Sequence, residues 1–435
     1  MSAKTPNEGL LARVNFPLYT LQMLTSRHIL VAGGGGSAKT GVANGFEVFE
    51  LSYNGHKFSA EECLRHVTGG SVVMNCSTFC TPKDTFLVAG QESHCQLYSV
   101  HFKVHSATDS SPAEGDNGDV KTVELRRRKK RNSNSFSKLN GDDNLEDSLD
   151  KELDGDKLLE LCIEPLKSVQ TDFSDDEPLQ RVVRISPLGN FMATGGTDGR
   201  LRVWTFPDLN SRLTISAHSK EIDDLDFSMD EEYIASVAKD GRASVWNVLS
   251  SKKVHDLQWS LPNGTKYLYK RCRFGKVEDN EALHRLFVLT NPIGQAGKNK
   301  SYLQQWDACK GQLTKFSPFS ESVSALAVRN DGRFVAVGTM FSGSVYIFVA
   351  FSLQNVLVVK HAHHMFVTGL EFLPVPPNDS SAVSPVEAAV LSISVDNRVC
   401  IHSLPFRRTF PLWIFLLLVI IILLSSFFIC SFFGL

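Results

Sequence analysis

Short runs in which apolar and polar residues alternate recur along most of the chain, separated by Asp-Gly, Asn-Gly or Ser-Gly pairs. A period of two predicts half-buried strands, and these dipeptides predict tight turns between them. The runs also repeat as groups. RISPLGNFMATGGTDGRLRVW from Arg184 aligns with DFSMDEEYIASVAKDGRASVW from Asp226, so that Asp198 and Asp240, and Trp204 and Trp246, are each 42 positions apart. VRNDGRFVAVGTMFSGSVYIFVA from Val328 is a third copy, with Phe348 at the Trp position. Fainter copies begin at Thr78 and at Leu391, and two more lie at 18–51 and 272–307. A repeat of about 40–45 residues built from four strands is the pattern of a propeller blade. The expectation is an all-β, seven-bladed propeller.

The stretch from His218 to Trp246 resembles the WD-repeat family. His218, Ser236, Asp240 and Trp246 match that family's hydrogen-bonded His–Ser–Asp–Trp set, and Asp198 and Trp204 match part of it in the preceding unit. The resemblance implies a structural role for all six. His361, His363 and His364 cluster without a carboxylate or cysteine at metal-ligand spacing, and one of them fits the blade-junction histidine. Asp223, Asp224 and Asp226 read as turn and rim residues rather than as an acid–base pair. No covalent catalytic constellation assembles from the sequence.

The alternation ends at the C-terminus. Leu412–Phe433 reads LWIFLLLVIIILLSSFFICSFF, 22 residues without charge, Pro or Gly, against the ~20 that cross a bilayer core as a helix. Arg407 and Arg408 precede it, and the positive-inside bias then places everything before Phe406 on the cytosolic side. The expected organisation is a cytosolic propeller over 1–405, a linker over 406–411, a transmembrane helix over 412–433 and a lumenal tail at 434–435. Residues 1–30 lack the basic segment and continuous apolar core of a signal peptide.

About 105–157 interrupts one blade with Ser-, Asp- and Asn-rich sequence, which predicts a disordered insertion. Within it RRRKKR at 126–131 is followed by an acidic block. The basic run reads as a solvated segment neutralised by the neighbouring acids; the alternatives are a nuclear-localisation patch, a contact to anionic lipid or a kinase docking site with Ser133 or Ser135 as acceptor. Across the whole chain 45 Lys and Arg oppose 47 Asp and Glu, which excludes nucleic-acid binding by bulk basicity. The nine cysteines are scattered without a Cys-x-x-Cys pair, so neither a zinc finger nor a dithiol redox site is written in the spacing, and the pattern is that of free thiols.

The least ordinary stretch is VAGGGGSAKTGVANG at 31–45. Gly33 to Thr40 is nearly a phosphate-binding loop, but Ala38 stands where the final glycine belongs. Both that motif and a dinucleotide fingerprint need a helix directly after them. Here the Asn-Gly pair leads instead into an alternating strand from Phe46, which argues against a nucleotide-hydrolysing site. A connection of about thirteen residues exceeds what a hairpin needs, and excess length in a tight scaffold predicts a projecting, functional loop. The candidate residues are Gly33, Gly34, Gly35, Gly36, Lys39, Thr40, Gly41 and Asn44.

A Gly-rich loop in the first blade and a C-terminal span with almost no tail together resemble the endoplasmic-reticulum exchange-factor family that activates the Sar-type small GTPase of the COPII coat. FPLYTLQ (16–22), VAGGGGSAKTGVANG, VAGQESHCQL (88–97), VQTDFS (169–174), ATGGTDGRLRVW (193–204) and FSGSVYIFVAFSLQ (341–354) carry the resemblance. It implies guanine nucleotide exchange on a Sar-type GTPase at the endoplasmic-reticulum membrane, with no small-molecule substrate and no required cofactor. It also implies that the loop binds a potassium ion, which here would fall to the carbonyls of Gly34, Gly35 and Gly36 and to Asn44. A transcriptional role in a nuclear pool accompanies the family and would depend on the basic run. A membrane-tethered scaffold without exchange activity is the alternative of another class.

Overall fold

The computed structural model describes residues 9–36, 41–81, 83–106, 157–259, 264–277, 283–294, 299–375, 386–406 and 412–433. The chain forms two units, one of Met1–Ser99 with Glu164–Leu435 and one of Val100–Ile163.

The first unit carries seven four-stranded antiparallel sheets. Blade one is β2 (Leu18–Met23), β3 (His28–Gly33), β4 (Gly45–Tyr53) and β5 (Phe58–Val67). Blade two is Val73–Cys80, Thr85–Gln91, His94–Ser106 and Lys157–Gln170, the last two running into the second unit. Blade three is Gln180–Ile185, Phe191–Gly196, Arg200–Thr205 and Ser211–Ser216. Blade four is Ile222–Phe227, Tyr233–Ala238, Ala243–Asn247 and Lys253–Asp256. Blade five is Tyr267–Gly275, Arg285–Pro292, Ser301–Asp307 and Gln312–Phe319. Blade six is Val323–Val328, Phe334–Thr339, Val345–Val349 and Gln354–Val359. In blade seven Val367–Phe372, Ala388–Ser394 and Arg398–Leu404 are completed by β1 (Leu10–Arg13) from the other end of the chain.

The first strand of each blade touches the first strand of the next, and the first strand of blade seven touches β2, so the ring closes. Closure by β1 removes the open edge that blade seven would otherwise present. The core lies between neighbouring sheets. Leu18, Ile29, Val31 and Phe49 of blade one pack against Leu391, Ile393 and Val399 of blade seven, all buried. Each such side chain contributes about 1.5–3 kcal/mol relative to exposure, so every blade depends on its neighbours.

One irregularity recurs. In blades one, three, four, five and six the register between the third and fourth strands slips by one residue just before the Trp246 position. The slip leaves Cys63, Arg212, Val254, Thr314 and Val356 as the extra residues of these bulges.

At the C-terminus α1 spans Leu412–Phe433, about 33 Å at the α-helical rise. Among the described residues no helix is long and apolar enough to cross a membrane. The side chains of α1 are largely exposed, from Phe415 to Ile429. The strands either side of the expected insertion reach Ser106 and resume at Lys157. The basic run at 126–131, Ser133 and Ser135 lie outside the described residues.

Candidate functional site

The family-like polar set in blade four forms a single circuit. His218 Nδ1 lies 3.1 Å from Asp240, His218 Nε2 lies 2.8 Å from Ser236 Oγ, and Trp246 Nε1 donates to Ser236 Oγ at 2.9 Å. Burial lowers the His218 pKa against the opposing pull of Asp240, which favours the neutral ring. The ring then donates from Nδ1 to the carboxylate and accepts from Ser236 at Nε2, so every group in the circuit is satisfied. In blade three Trp204 Nε1 donates to Thr194 Oγ1 at 3.0 Å, but Asp198 meets Arg202 rather than a histidine. The loop residue standing in for histidine there is Asp172, which accepts from the Asp198 amide.

Blade seven holds a second circuit that the sequence shows only in part. His363, the middle member of its histidine cluster, lies 3.1 Å from Asp396 and 2.8 Å from Ser392, which in turn is 2.8 Å from His402. The strand register puts His402 where blade four has Trp246. The signal available was the Asp-Asn turn at Asp396, but it lies 33 positions from His363 where Asp240 lies 22 from His218, so spacing alone does not pair the two.

Asp223, Asp224 and Asp226 are not turn or rim residues. They belong to Ile222–Phe227, the first strand of blade four. Asp224 accepts from Arg273 Nη1 at 2.6 Å, Asp226 accepts from the Phe274 amide at 2.8 Å, and Asp223 pairs with Arg181 and Lys270 at 3.1 Å. Burial pushes the Asp226 carboxyl up to about 7, against the pull of Arg184. The three acids tie blade four to blades three and five. Local sequence hides this, because their partners lie some forty to fifty positions away.

The Gly-rich connection between β3 and β4 is the longest irregular feature of blade one. The last cross-strand pair is Gly33 with Gly45, so the connection is 34–44, eleven residues rather than about thirteen. It leads into a strand, as expected for a loop that is not a nucleotide cradle. Gly34 has φ +144°, and a Cβ there would fall 2.1 Å from Asn44 Oδ1. Only glycine fits that position. A Cβ at Gly36 or at Gly41 would meet nothing within 4 Å, so these two positions face open space.

Asn44 anchors the loop. Its Oδ1 accepts from the Gly36 amide at 2.9 Å, and its Nδ2 donates to the carbonyls of Gly36 and Gly69 at 3.2 and 3.0 Å. Its own carbonyl accepts from the Thr68 amide at 3.0 Å. Asn44 is 3% exposed and holds the loop from beneath. Of the oxygens assigned to potassium, Gly36 O and Asn44 Oδ1 each accept one hydrogen bond among the described residues, where an oxygen of this kind can accept two. The donor type, neutral oxygen, fits a hard monovalent cation. Lys39 and Thr40 lie outside the described residues.

Beneath the loop β4 carries Glu47, 1% exposed. Arg65 Nε stands 3.0 Å from Glu47 Oε1, but neither carboxylate oxygen receives an aligned hydrogen bond. Burial pushes this carboxyl up to about 7 despite Arg65.

The chain matches the family described as WD domain, G-beta repeat, over 171–205 and 209–247, which take in blade three and the first three strands of blade four. It is also 36% identical to the guanine nucleotide-exchange factor SEC12 of Mus musculus, over 94% of this chain and 93% of that protein. The chain belongs to the SEC12 family of guanine nucleotide-exchange factors. The Rattus norvegicus SEC12 is 35% identical over the same shares, and SEC12-like protein 2 of Arabidopsis thaliana is 28% identical over half of each chain. The SEC12 likeness takes in blade one and its loop as well as the blades that the repeat family matches.

Proposed function

We propose that this protein is a guanine nucleotide exchange factor for a Sar-type small GTPase, and that the loop 34–44 of blade one is the element that loosens the nucleotide. The near-full-length relationship to two SEC12 exchange factors carries the reading. The loop supports it: eleven residues on a rigid sheet, anchored by Asn44, with Gly36 and Gly41 in open space. Exchange requires no nucleophile. It requires tighter binding to the nucleotide-free GTPase than to its GDP-bound form, and that difference in affinity drives GDP out.

In the same reading α1 anchors the chain in the endoplasmic-reticulum membrane with the propeller on the cytosolic side. Its 22 uncharged, largely apolar residues match the thickness of a bilayer core. Anchoring confines activation to the surface where a freshly loaded GTPase recruits the COPII coat, the first step of export toward the Golgi. A potassium ion held by the carbonyls of Gly34, Gly35 and Gly36 and by Asn44 Oδ1 would stiffen the loop.

The test is GDP release from a purified Sar-type GTPase, with the full chain in detergent micelles or proteoliposomes. The reading expects release faster by about tenfold or more. Binding of the GTPase without faster release would overturn it in favour of a tethered scaffold.

A further inference from the structure

Blade one carries a second constellation at the opposite end of the strands that hold the loop. His28 opens β3, Glu50 faces it across the sheet from β4, and Cys63 is the bulge residue of β5. One donor atom from each, an imidazole nitrogen, a carboxylate oxygen and a thiol sulfur, all lie within 4.8 Å of one another. We propose that His28, Glu50 and Cys63 form a binding site for a zinc-like divalent transition metal that staples the three outer strands of blade one.

The blade-to-blade register shows how particular this grouping is. The positions of His28, Glu50 and Cys63 are filled by Tyr233, Asn247 and Val254 in blade four. In blade three they are Phe191, Thr205 and Arg212, and in blade six Phe334, Val349 and Val356. Blade five has Arg285, Asp307 and Thr314. Of these five blades only blade one has a metal-binding side chain at all three positions. The bulge re-aims its extra residue, and in β5 that residue is the cysteine.

The donor set decides the class of ion. Thiolate with imidazole selects zinc and its neighbours over calcium or magnesium, which take oxygen donors. Bonds of about 2.0–2.3 Å to N, O and S require the three side chains to draw in by roughly 1 Å, which exposed termini accommodate. Cys63 is exposed, leaving a fourth position for water. Three neighbouring contacts are compatible. His28 Nδ1 lies 2.8 Å from Thr25 Oγ1, an outer partner of the kind that fixes the ring of a metal-bound histidine. Cys63 Sγ points to the Glu61 carbonyl at 3.6 Å. Arg27 meets Glu50 at 3.1 Å but is 68% exposed, so a metal displaces it at little cost.

The experiment titrates cobalt(II) into the chelator-stripped full chain in detergent, followed by zinc. One cobalt per chain should bind with a thiolate-to-cobalt charge-transfer absorption that zinc abolishes. Cys63→Ser should eliminate that absorption, and both it and His28→Gln should weaken zinc binding by at least about tenfold. Cys80→Ser, at another exposed thiol, should change neither. Zinc should also raise the thermal midpoint of the unsubstituted chain and leave that of Cys63→Ser unmoved, since a ligand of the folded state stabilises it by mass action. No charge-transfer band, a band that survives Cys63→Ser, or equal zinc affinity in all variants would overturn the site. None of these readouts involves nucleotide exchange, so the result is independent of the exchange reading.

Discussion

Blade four and blade one share one strand register and fill its central positions with opposite chemistry. Blade four has Trp246 over Ser236, and beside them Ser244 donates to Asp256 at 2.6 Å. At the same register blade one has Phe49 over Val31, and the pair Glu47 and Arg65. The polar circuit of blade four locks the connection between its second and third strands, since Asp240 in that turn is bound to His218. Among the described residues blade one has no such histidine, and its corresponding connection lengthens to 34–44 and is held by Asn44. Where the repeat is complete the loop is short and structural; where the repeat is given up, the loop becomes available for a partner.

This contrast breaks most visibly at Trp246. Trp246→Ala should cost about 3–5 kcal/mol, through lost burial and an orphaned Ser236, read as a lower urea midpoint. The folded fraction should still accelerate GDP release at the unsubstituted rate. Asn44→Ala should cost less, about 2 kcal/mol, because three hydrogen bonds of roughly 1 kcal/mol each are replaced only partly by water. Its effect on release should nonetheless be large, about tenfold or more by the coupling expected of such sites. Hydrogen exchange at 34–45 should rise while blade four stays protected.

The smallest effect belongs to Glu47. A carboxyl raised to about 7 in the folded chain keeps its proton where the unfolded chain, near about 4.3, has lost it. Between those values the folded state binds more protons, so its stability falls as pH rises. Glu47→Gln should remove that slope, gaining on the unsubstituted protein by at most about 2 kcal/mol from roughly pH 4.5 to pH 8, since Arg65 is partly exposed and screened. Denaturant midpoints across that range read it directly.

Blade number was legible because turn dipeptides and the Val-Trp endings are local signals. The four circuit residues of blade four were legible for the same reason. Blade seven was harder: with His402 in place of tryptophan, only the histidine cluster marked its circuit, and nothing local singled out His363 within that cluster. The closing strand β1 has four residues and no turn of its own, so only its pairing with Arg398–Leu404 reveals it. The loop could be found from its glycines, but the anchoring by Asn44 depends on Gly69, 25 positions on. The acids of Ile222–Phe227 owe their burial to arginines of neighbouring blades, which no local pattern announces.

Exchange, on this account, resides in the blade-one loop while the rest of the ring is scaffold. The most direct measurement replaces residues 34–44 by Asn-Gly between Gly33 and Gly45, a turn that fits a two-residue hairpin, and monitors GDP release from a Sar-type GTPase. Release at the uncatalysed rate, by a full-length variant whose thermal midpoint matches the unsubstituted chain, is the predicted result. Undiminished acceleration by that variant would contradict the account and move the exchange surface elsewhere on the propeller.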